Sequence, residues 1–139
     1  MRFNGFAAVA LALTLGLPSA ASAAPAPVVF FDIAGPDQAQ QAKFYKAVFD
    51  WDLGPDGRVP PAVTAGVAGG ALRQDPADKG IYIGVEDVTA TLAKIVANGG
   101  SIVAPRFEVK GVVVLGLFKD PAGNALGLVE MKDGKAIKP

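Results

Sequence analysis

Two aspartates, Asp37 and Asp87, stand 50 residues apart, and each follows a β-rich apolar run and opens a helical pattern. The runs are "VVFFDI" (28–33) and "IYIGVE" (81–86). An aspartate in that place can accept from the free amides of a helix's first turn. After Asp37, Ala42, Tyr45, Val48 and Phe49 fall at helical spacing, and after Asp87 so do Val88, Leu92, Ile95 and Val96. Asn98-Gly99-Gly100 ends the second helix in the usual way. Short strand candidates follow each helix: "PPAVTAG" and "AGGALRQ" first, then "SIVAPRFEV", "GVVVLGLFKD" and "NALGLVEM". Asp120-Pro121-Ala122-Gly123 turns between the last two, whereas "LGPDGRV" reads as turn alone. The pattern predicts a duplicated βαβββ unit, with modules at about 28–74 and 80–131. Helices striped on one side cover one face of a sheet and leave the other free to curve round a cavity.

The first 23 residues read separately. Arg2 gives a cationic start, Phe6 to Leu17 an apolar stretch, and Pro18 and Ala21-Ser22-Ala23 a cleavage-site pattern. That is the make-up of a signal peptide, and the stretch is short of the roughly 20 residues that span a bilayer. The expectation is a single domain over 24–139, periplasmic or secreted, with no membrane attachment after cleavage.

Composition removes several functions. With no histidine and no cysteine, the chain has no Ser-His-Asp triad, imidazole ligand or disulfide. Thirteen basic and thirteen acidic residues, without a clustered basic face, give no sign of nucleic-acid binding. Glu130 stands out instead, because in a strand it shares a face with Leu126 and Leu128. A carboxylate on an apolar face is costly unless it is paired or coordinated.

"FYKAVFDW", "VEDVTATLAKIVANGGSIVAP" and "FKDPAGNALGLVE", in that order, resemble the vicinal oxygen chelate superfamily of glyoxalase I, extradiol dioxygenases and bleomycin-resistance proteins. The resemblance runs from about Val28 to Glu130. It implies an α+β fold in which two βαβββ modules form a half-open, barrel-like sheet of eight strands, often in homodimers. It also implies metal ligands on inward-facing strand positions, which match Phe30, Gly80 or a neighbour, Arg73 or Gln74, and Glu130 here. One ligand of the four is thus retained, Glu130, and the histidines often found in the family are gone. Asp32 shares a strand face with Phe30, Tyr82 should share that of Gly80, and module symmetry sets Arg73 near the position opposite Glu130.

The expected function is a secreted, metal-free protein of the bleomycin-resistance kind, without cofactor. It would hold a small, partly apolar molecule at Phe30, Asp32, Arg73, Tyr82 and Glu130. The alternative is a glyoxalase-like lyase or isomerase in which Asp32, Gln74 and Glu130 hold Mg²⁺ or Mn²⁺ rather than Zn²⁺. In a third reading, a dimerisation module, the cavity would be filled. Trp51 reads as core or interface, and Lys119 as a solvated charge at the rim.

Overall fold

The computed structural model describes residues 24–66 and 68–139, so the expected signal peptide lies outside the described residues. The elements run β1 (Val28–Gly35), α1 (Gln38–Phe49), a 3₁₀ turn (Pro61–Thr64), β2 (Gly69–Gln74), β3 (Asp78–Val85) and α2 (Val88–Ala97). β4 (Ser101–Val109), β5 (Val113–Lys119), β6 (Ala125–Lys132) and β7 (Lys135–Ala136) complete the chain. Seven strands form one open sheet in the order β2-β1-β3-β6-β5-β4, with the short β7 beside β6. The α+β class and the two-module plan are as expected.

Both helix starts follow the local rule. The Asp37 carboxylate accepts from the Gln40 amide at 2.9 Å, and that of Asp87 from the Ala90 amide at 2.8 Å. The second module is complete. Its β3 and β6 run parallel, β5 and β4 continue the sheet antiparallel, and α2 lies across β4, β5 and β6. Val88 and Leu92 of α2 are buried against Phe118 and Leu128, a transfer of about 1.5–3 kcal/mol for each large side chain. Gly116 lets the helix come close, because a Cβ there would stand 2.6 Å from Val88 Cγ1.

The first module is reduced. Among the described residues it contributes only β1, β2 and a single bridge from Arg58 to Ala71, so the expected eighth strand is replaced by loop. "PPAVTAG", expected as a strand, contains the 3₁₀ turn, since consecutive prolines supply no amides for a ladder. With only β1 and β2 beneath it, α1 buries no residue. Val48 and Phe49, expected on its core stripe, are exposed together with Phe44. The helix is tethered by Gln38 Nε2 donating to the Leu72 carbonyl, and by Trp51, which stacks on Tyr45 and meets Phe31 edge-on. The two modules join within one chain, where β1 pairs antiparallel with β3.

Candidate functional site

Cross-strand partners share a face of a sheet. One row of partners therefore holds Ala71, Asp32 and Gly80, and the next holds Gly69, Phe30, Tyr82, Gly127 and Leu117. The packing of Val88 on Gly116 and the edge contact of Trp51 with Phe31 set the helices on the other face. Phe30, Asp32 and Tyr82 thus lie on the helix-free face, and so does Arg73, which pairs with Ala34 two residues along β1 from Asp32. The structure brings these four together.

Asp32 is the centre of the group and only 5% exposed. Its Oδ2 accepts the Tyr82 hydroxyl at 2.9 Å and lies 3.2 Å from Arg73 Nε, while Oδ1 is buried without a hydrogen-bond partner. The second hold on Arg73 is Asp75. Gly80 makes room for the carboxylate, since a Cβ there would stand 2.9 Å from Oδ1 and 3.0 Å from the Tyr82 ring. Phe30 meets Tyr82 edge to face at 5.8 Å, and the Arg58 guanidinium lies 5.0 Å above the Phe30 ring. Burial, followed by the bond to Asp32 and its charge, pushes the Tyr82 phenol up to about 12. A phenol raised in this way stabilises the fold below its unfolded value near 10 and loses that contribution as pH climbs towards 12. Ultraviolet titration should show a late phenolate that is absent in Tyr82→Phe and moves to lower pH in Asp32→Leu.

Glu130 is buried too, but on the helix side with Leu128. Its partner is Arg106 on β4, not Arg73. Arg106 Nε donates to Oε2 at 2.9 Å and its Nη2 to Oε1 at 2.8 Å, and the Val88 amide at the start of α2 adds a bond of 3.2 Å to Oε2. Hydrogen bonds from Arg106, ahead of that amide, hold the Glu130 carboxyl below its ordinary range in spite of burial. On β6 the residue facing the Asp32 group is Gly127, which has no side chain.

The implied metal does not fit these residues. Asp32 and Glu130 lie on opposite faces, so they cannot share an ion. Gln74 pairs with Gly35 at the end of β2, three strand spacings (about 14 Å) from β6. Among the described residues no three His, Cys, Asp or Glu side chains cluster as a metal would need.

A cavity of about 530 Å³ is lined mainly by Phe31, Ile33, Ile81 and Leu126 of the helix side, and Asp32 and Gly80 also border it. Its other charged residues do not join Asp32: Lys79 has no ion-pair partner among the described residues, and Asp120 is engaged by its own turn through Asn124 and the Ala122 amide. Glu130 is fully engaged by Arg106 and the Val88 amide, whereas Asp32 keeps a buried oxygen without a partner among the described residues, which makes the helix-free face the candidate site.

Sequence reasoning missed Arg58 and Arg106. Alternation within "SIVAPRFEV" sets Arg106 and Glu108 on one face, but irregular register between Ile102 and Phe107 hides which β6 residue they reach. Arg58 lies in the turn-rich segment, where no period marks a face. Trp51 is half-buried against Tyr45, and Lys119 is exposed, both as expected.

Residues 28–129 match the family model described as a glyoxalase-like domain. CFP32 of Mycobacterium tuberculosis, provisionally named a glyoxylase, is 32% identical over 111 residues, covering 70% of this chain and 42% of that protein. The anthracycline biosynthesis protein DnrV of Streptomyces peucetius is 25% identical over 129 residues, covering 76% of this chain and 47% of its own length. The chain thus spans under half the length of these curated relatives. In fold it is like methylmalonyl-CoA epimerase from Mycobacterium tuberculosis, with a TM-score of 0.56 at 15% identity over 76% of this chain and 87% of the epimerase. Sequence match and fold agree with the resemblance read from the three segments, and the chain belongs to the glyoxalase-like domain family of the vicinal oxygen chelate superfamily.

Proposed function

We propose that the chain binds a small, partly apolar molecule on the helix-free face of its sheet, sequesters it, and needs no divalent ion to do so. One observation carries the reading. Asp32 is a buried carboxylate on the helix-free face, with both donors on Oδ2 and none on Oδ1 among the described residues. A buried acceptor without a donor costs about 1–3 kcal/mol, which a ligand hydroxyl or N–H would relieve on displacing the side chains that cover Oδ1. Phe30, Tyr82 and Leu117 in the neighbouring row offer apolar area for the rest of the molecule. A methylmalonyl-CoA epimerase of the same fold forms a complex with methylmalonyl-CoA, which supports a small-molecule partner here. The leader-like first 23 residues support binding outside the cytoplasm.

Thermal-shift screening of small aromatic alcohols and amides, followed by titration of the hits, tests this. Hits should weaken about tenfold or more in Asp32→Leu, the equivalent of one good hydrogen bond to a charged group. Chelator should change nothing. Hits that bind Asp32→Leu as well as wild type, or that require a divalent ion, would remove the reading.

A further inference from the structure

Arg58 belongs to the same face by register. Its bridge to Ala71 extends the row to Arg58, Ala71, Asp32 and Gly80, so two strand spacings (about 10 Å) and a single alanine separate its backbone from that of Asp32. The guanidinium lies over Phe30, a contact that orients it without using its N–H donors. Its nearest carboxylate is Asp56 at 3.9 Å, and both side chains are more than half exposed, an arrangement worth little. Arg73 differs, being held by Asp32 and Asp75 together. Among the described residues, a cation with uncommitted donors thus stands over the Phe30 ring of the site, which in turn meets Tyr82.

We infer that Arg58 reads a carboxylate on the ligand, so that the site takes a small monocarboxylic acid with an aromatic or apolar body. The acid group would meet the planar donor fork of Arg58, and the body would lie on Phe30 and Tyr82 towards Leu117. One uncommitted positive charge suits one negative charge. A dianion would also face Asp32 and Asp56, which repel it. The inference rests on the proposed binding face and adds to it the class of ligand.

Mandelate and its methyl ester, titrated by calorimetry into the full chain and into Arg58→Gln, test it. They share a ring and a hydroxyl and differ in charge. In wild type the acid should bind about tenfold tighter than the ester, as expected of a charge-assisted pair at a half-exposed site. In Arg58→Gln the acid should fall to the level of the ester, with the ester unchanged. Equal binding of acid and ester to wild type overturns the role of Arg58 while leaving the binding face in place. Equal weakening of both probes in Arg58→Gln also overturns it, because the loss is then not one of charge. If neither probe binds the folded protein, the inference and the binding face for this class of molecule fail together.

Discussion

Gly127→Ala is expected to lower unfolding stability by about 2 kcal/mol, as overpacking a well-filled position does, and to displace Tyr82 from the site. A Cβ at position 127 would fall within the Tyr82 ring, against Cδ1 and Cε1. β6 lies between β3 and β5 and is paired with both, so its backbone cannot retreat. The ring has to move, and the hydroxyl then leaves Asp32 Oδ2, which keeps only Arg73. Urea unfolding and the near-ultraviolet circular dichroism of the tyrosines would read the two effects separately. The decisive comparison is Gly127→Ala in a Tyr82→Ala background, where the ring is gone and the added methyl should cost almost nothing. An equal cost in both backgrounds would show that close approach to Tyr82 is not the reason for the glycine.

Why Glu130 and Asp32 differ in legibility follows from what alternation can say. The period of two shows that Glu130 shares a face with Leu126 and Leu128 and that Asp32 shares one with Phe30, and the structure agrees on both. It does not say which face the helices take. That depends on where α2 packs, and Val88 and Leu92 pack on the side of Leu128, leaving Glu130 beneath the start of the helix. The helix starts were legible because a cap is a local bond between an aspartate and an amide three residues on. The second module was legible strand by strand because its runs are long and its turns carry glycine and proline. In the first module the segment before β2 has neither a long run nor a period, and it supplies the single bridge at Arg58. The arginine beside the site therefore came from tertiary register and from no pattern along the chain.

Glu130→Gln should lower stability at pH 7 by about 2 kcal/mol, in the range for hydrogen bonds to a buried charge. The carboxylate joins three elements, since it accepts from Arg106 of β4 and from the first amide of α2 while standing on β6. Glutamine keeps one acceptor oxygen and turns an amide N–H towards the donors of Arg106. The pH dependence identifies the charge as the cause. Because the folded-state pKa is lowered, the unfolded chain takes up its proton first as pH falls. The contribution is therefore complete above the ordinary glutamate value of about 4.3 and is lost as pH drops below it through the folded-state value. Urea unfolding at pH 7, 5 and 3 should show a wide gap between wild type and variant at the first two and a narrow one at the last. A gap of constant size would assign the loss to shape instead. Ligand binding gives the complementary check, because Glu130 lies on the opposite face from Asp32. The variant, measured where it remains folded, should keep wild-type affinity for any molecule that Asp32→Leu no longer binds. If binding falls with Glu130 as steeply as with Asp32, the two carboxylates act on one ligand after all, and the assignment of the site to the helix-free face is wrong.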